Sequence, residues 1–72
     1  MDIMAILLLI EKGIAVASTL IAAAQDAGPA FEAIKNLITG AKTGKITQSE
    51  LDKTEALLDA MINDFNLEMP TA

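Results

Sequence analysis

Apolar residues recur along this chain with the period of a helix rather than that of a strand. Ile3, Leu7, Ile10, Ile14, Ala17, Ile21 and Ala24 follow alternating steps of four and three, an a/d seam sustained over three heptads. The seam predicts a first helix over residues 2–26, packed lengthwise on a neighbour. Glu11, Lys12, Ser18, Thr19, Gln25 and Asp26 gather opposite it, but nearer the N-terminus Met4 and Leu8 occupy that polar face. Residues 3–10 are therefore apolar all round, and a helix apolar on every side must be buried on every side. A single domain of 72 residues covers one or two of those sides. Ile3, Met4, Ile6, Leu7, Leu8, Leu9, Ile10 and Ile14 are accordingly expected to pack against a partner.

Two more helices follow. Asp26-Ala27-Gly28-Pro29 reads as a helix stop and a new start, with glycine at the stop and proline in the first turn. The second helix is expected over 29–42, with Phe31, Ile34, Ile38 and Ala41 as its apolar face and Leu37 widening it. Gly40 and Gly44 weaken that helix and permit a left-handed stop. The third is expected over 48–66, with Leu51, Leu58, Met61, Ile62 and Phe65 as a narrow stripe flanked by Leu57. Pro70 keeps the tail, 67–72, from continuing it. Short connections favour antiparallel neighbours, so the expected fold is all-α: a single domain over 1–72, a three-helix antiparallel hairpin stack with a long apolar first helix, and oligomeric.

The turn before the third helix reads TGKITQSEL, over residues 43–51, and admits two readings. Gly44, Ile46 and Glu50 match the closing half of a calcium loop. The ligand positions of such a loop would then fall on Thr39, Ala41 and Thr43, and a hard dication needs more oxygen than these supply. Helix capping explains the same residues. Thr47 suits the N-cap and Glu50 completes a capping box, each side chain pairing with the other residue's backbone N–H. Ile46 and Leu51 occupy the two positions of a hydrophobic staple. No metal or cofactor site is expected.

Composition narrows the function classes. Cysteine and histidine are both absent. That removes disulfides, thiol nucleophiles, the commonest metal ligand and the side chain best suited to proton transfer near neutral pH. The acidic pairs Asp52/Glu55 and Glu55/Asp59 lie opposite the apolar stripe, where water rather than a cleft surrounds them, so no catalytic residues and no enzyme are expected. The net charge of −5 comes entirely from residues 46–72, because the charges of residues 1–45 cancel. An acidic chain without arginine argues against nucleic acid and anionic membranes. Ile3–Ala24 is long enough to span a bilayer. Glu11 and Lys12 at its middle each cost about 2.5–3.5 kcal/mol there.

An apolar first helix, IMAILLLIEKGIAVASTLIAAA, is followed by a turn and an acidic final helix, ITQSELDKTEALLDAMINDF. In this the chain resembles the small all-helical structural proteins of tailed bacteriophages. The resemblance covers nearly the whole chain and carries no catalytic or binding residue. It implies a virion component, in the virion or host cytoplasm, that associates with itself or with larger phage structural proteins of capsid, connector or tail. Two rival readings are a holin-like lysis protein of the inner membrane and a small regulatory module that binds a peptide in a helix groove.

Overall fold

The computed structural model describes residues 3–67. Among them the chain is entirely helical, without strands: α1 Ile3–Ala22, α2 Gly28–Thr43 and α3 Gln48–Asp64. Asp2, the first residue expected in the first helix, and the tail beyond Leu67 lie outside the described residues. Both α2 and α3 pack chiefly on α1 and touch each other little. Two apolar clusters make the core. In one, Val16, Ala17 and Leu20 of α1 meet Ala27, Ala30 and Ala33 of the α2 segment and Leu58 and Met61 of α3. In the other, Ile6 and Leu9 meet Leu37, Ile46 and Leu51.

The face that α1 buries is not the expected one. Ile6, Leu9, Gly13, Val16 and Leu20 point inward, one residue before the a/d seam. Of that seam only Ala17 is buried and Ile10 half-buried; Ile3, Leu7, Ile14 and Ile21 remain 47–59% exposed. The same offset of one residue recurs on α2, which buries Ala30, Ala33 and Leu37 and leaves Phe31 and Ile38 exposed. The reason is steric. A Cβ on Gly13 would lie 2.8 Å from Ile34 Cγ1, so Ile34 fills the space that a side chain there would need. Alanines on α2 facing glycine and alanine on α1 let the two axes approach closely. The bulkier seam offers no such recess.

The helix ends also differ. α1 stops at Ala22, not residue 26, because Ala24 takes the left-handed conformation with φ 58°. The Gln25 N–H donates to the Leu20 carbonyl at 2.8 Å and the Ala24 N–H to that of Ile21 at 3.0 Å. This is a Schellman closure with alanine where glycine is usual. Left-handed alanine costs roughly 1–2 kcal/mol, and turning there returns Ala27 and Ala30 onto Leu20. Gly28 is not the stop; it opens α2, and its N–H donates to Asp26 Oδ1 at 2.9 Å. α2 ends at Gly44, φ 68°, whose N–H donates to the Gly40 carbonyl. α3 ends at Asp64, before residue 66, and Asn66 turns left-handed with φ 52°. The turn leaves Phe65 exposed instead of in the stripe and folds Leu67 onto the first cluster.

These observations generate two stability predictions. Ala24→Gly should raise stability by up to about 1 kcal/mol, since relief of the left-handed strain exceeds the added chain entropy. Ala56→Gly, at an exposed position in the middle of α3, should lower it by about 0.5–1 kcal/mol. Gly40→Ala should destabilise despite alanine's higher helix propensity, because its Cβ would sit 2.8 Å from Ile46 Cβ. Overpacking of about 1–3 kcal/mol outweighs a propensity gain of about 1 kcal/mol. Urea melts of the three variants check all of these signs.

Candidate functional site

The turn into α3 is built as a cap. Thr47 is extended, with φ −100° and ψ 162°, and its hydroxyl oxygen accepts from the Glu50 N–H at 3.2 Å. The Glu50 carboxylate accepts from the Thr47 hydroxyl, also at 3.2 Å, rather than from the Thr47 N–H, so the box closes through the two side chains. Ile46 and Leu51 are buried together in the second cluster. The calcium-loop positions have other uses: Thr43 Oγ1 donates to the Gly40 carbonyl and accepts from the Lys45 N–H, both at 3.4 Å. Among the described residues no three acidic side chains converge to hold a metal ion.

The acidic helix faces water. Glu50, Asp52, Glu55, Asp59 and Asp64 are exposed, and among the described residues no polar or charged side chain is buried. Asp59 pairs with Lys12, joining α3 to the middle of α1. At this level of exposure such a pair is worth about 0–1 kcal/mol. It matters more as a marker: Lys12 shows which flank of α1 lies beside α3. A shallow cleft lined by Asn36, Thr39 and Thr43 of α2 and Glu50, Lys53 and Thr54 of α3 marks the α3 flank of α2.

The exposed apolar residues lie on the other flanks. Ile14 is two residues from Lys12 and so about 200° around α1 from it. Ile3, Leu7 and Ile21 share the Ile14 stripe. On α2, Phe31 and Ile38 lie beyond Ile34 and Ala41, away from the cleft. The two stripes adjoin: Ile34 covers Gly13, and Ile3 lines a small hollow with Ala41 and Gly44. One continuous apolar face therefore spans α1 and α2 on the side away from α3. Glu11 and Ser18 interrupt it on α1, and Lys35 and Lys42 on α2, following the spacing Phe31-Lys35-Ile38-Lys42.

The expected partner residues divide between this outer surface and the core. Ile3, Met4, Leu7, Leu8 and Ile14 are exposed and Ile10 is half-buried. Ile6 and Leu9, at 3% and 7% exposure, lie within the chain's own core and are not available to a partner. Ile21, Phe31 and Ile38 were absent from the expected set. A sequence signal for the latter two exists: lysines interrupt the Phe31–Ile38 stripe, whereas Ala30-Ala33-Leu37 beside it is uninterrupted.

No family model matches the sequence, and no curated protein or solved structure matches the chain.

Removing the cap should cost stability without changing the face. Thr47→Ala should destabilise by about 0.5–2 kcal/mol, with α3 fraying at its first turn. Urea melts together with amide exchange at Glu50 and Leu51 read this out.

Proposed function

We propose that this chain is a non-enzymatic assembly protein that works by hydrophobic helix packing. One observation carries the reading: the apolar stripe Ile3–Leu7–Ile14–Ile21 runs the length of α1 and is left uncovered by the chain's own core. In this reading the helices form an antiparallel stack, running up, down and up. The clusters support that order, since the early part of α1 meets the late part of α2 and its late part meets the early part of α2. The resemblance to small helical phage proteins supplies the setting, a virion component seated among larger structural proteins.

Magnitudes indicate the kind of partner. Ile3, Leu7, Ile14, Ile21, Phe31 and Ile38 each keep about half of their surface in water. Completing their burial contributes roughly 1 kcal/mol each, or about 6 kcal/mol for the face. Association itself costs about 4–15 kcal/mol. A flat polar surface therefore gives too little, and the partner must bring an apolar face of its own.

The rival occupant is a bilayer, because α1 is long and apolar enough to cross one, with a third of it buried inside the fold. Two features weigh against it. Glu11 stands halfway along the exposed side. The buried third is covered by α2 and α3, so insertion would either strip Leu20, Leu37 and Leu58 of their contacts or carry the acidic helix with it.

Without detergent, the protein should sediment as a discrete soluble oligomer. Leu7→Asp should reduce it to monomer with its helical circular dichroism intact, since Leu7 is outside the core. Recovery only with membranes, or an oligomer indifferent to Leu7→Asp, overturns the assembly reading.

A further inference from the structure

Resting on that reading, we infer that the occupant of the α1–α2 face is a second copy of this chain. The copies dock face to face about a two-fold axis, with Glu11 of each against Lys35 of the other. Charge complementarity points there. The face carries an acid on α1 and bases on α2, so it complements itself after a two-fold rotation, as an isologous interface must. Neither Glu11 nor Lys35 forms an ion pair among the described residues, and both are exposed.

Their positions along the helices suit the exchange. Ile34 lies over Gly13, so its neighbour Lys35 stands near the level of Gly13 on α1. Glu11 is two residues away, about 3 Å along the axis. A two-fold axis that runs parallel to the helices, between α1 and α2, keeps every residue at its level and lays α1 of each copy over α2 of the other. The isoleucine stripe of α1 then meets Phe31 and Ile38, and each Glu11 stands at the level of Lys35 on the other copy, giving two equivalent pairs.

The remaining charges agree with this arrangement. The acid excess of the chain belongs to residues 46–72, chiefly to α3, on the far side from the face. Two copies joined through α1 and α2 hold their acidic helices apart and in water. The spacing of the exposed residues agrees as well. Leu7, Ile14 and Ile21 repeat every seven residues, with Ile3 four residues before the first of them, as in a helix that meets another helix.

Sedimentation equilibrium of the full chain at low salt and at 0.15 M salt (a Debye length of about 8 Å) tests the inference. The wild type should be a dimer. Glu11→Lys and Lys35→Glu should each raise its dissociation constant about tenfold, and the double variant should return to within about threefold of the wild type. Circular dichroism should be unchanged in all three variants. A dimer that Leu7→Asp dissociates but that ignores the charge reversals, or shows no rescue, overturns the pairing and leaves the assembly reading standing. A wild-type oligomer larger than a dimer that Leu7→Asp dissociates overturns the two-fold pair alone and leaves the assembly reading standing. A wild-type monomer, whether or not it binds phosphatidylcholine vesicles, overturns both readings.

Discussion

The structure depends on how closely α2 can approach α1. Ala30 and Ala33 bring almost no side chain to the contact, and α1 answers with Gly13 and Ala17. The bulk that fills the junction comes from Ile34, lodged where a Cβ on Gly13 would stand. Small residues facing small residues fix the rotation of both helices about their own axes. Rotating α1 by one residue to bury its isoleucine seam would force Ile14 against α2 in place of Gly13. The core is thus chosen by fit, and hydrophobicity alone does not choose it.

That rotation creates the outer face. α1 has more apolar surface than two short helices can cover, so whichever seam wins the core leaves the other in water. The seam left outside is the more hydrophobic of the two, with Ile3, Leu7, Ile14 and Ile21, and α2 adds Phe31 and Ile38 to it. A small domain has a poor ratio of core to surface and gains from association. Here the surface that association would cover is the one that close packing excluded from the interior.

α3 has a different task. Its inner stripe, Leu51, Leu58 and Met61, closes the core from the side opposite the apolar face. Its other positions carry the chain's acid excess into solvent. Buried Leu51, Leu58 and Met61 set its position along α1, which the exposed Lys12–Asp59 pair marks, and the Thr47 cap sets its starting residue. The result is a molecule with two unlike sides, one acidic and hydrated, the other apolar and nearly neutral. Net charge confined to one side favours solubility and leaves the apolar side free of like-charge repulsion.

The all-helical class was legible in the sequence because the period of apolar residues is a local property. So was the start of α3: helix capping needs only Thr47, Glu50 and their immediate neighbours, which lie within one turn. The end of α2 at Gly44 belongs with it, since glycine adopts a left-handed conformation without strain. Three features were not legible. The end of α1 at Ala24 has no local cause, because alanines and glutamine favour continuing a helix; the return of Ala27 and Ala30 onto Leu20 stops it. The inner faces of α1 and α2 were misread by one residue, because period and hydrophobicity rank the isoleucine seam first. The division of the apolar residues between core and outer face likewise followed only from the packed structure. The sequence by itself determined that the chain is helical, where its strongest caps lie and that it has more apolar surface than it can bury. Tertiary structure decided which surface is buried, because that depends on how close two helices can come, and closeness is a property of facing side chains rather than of either helix alone.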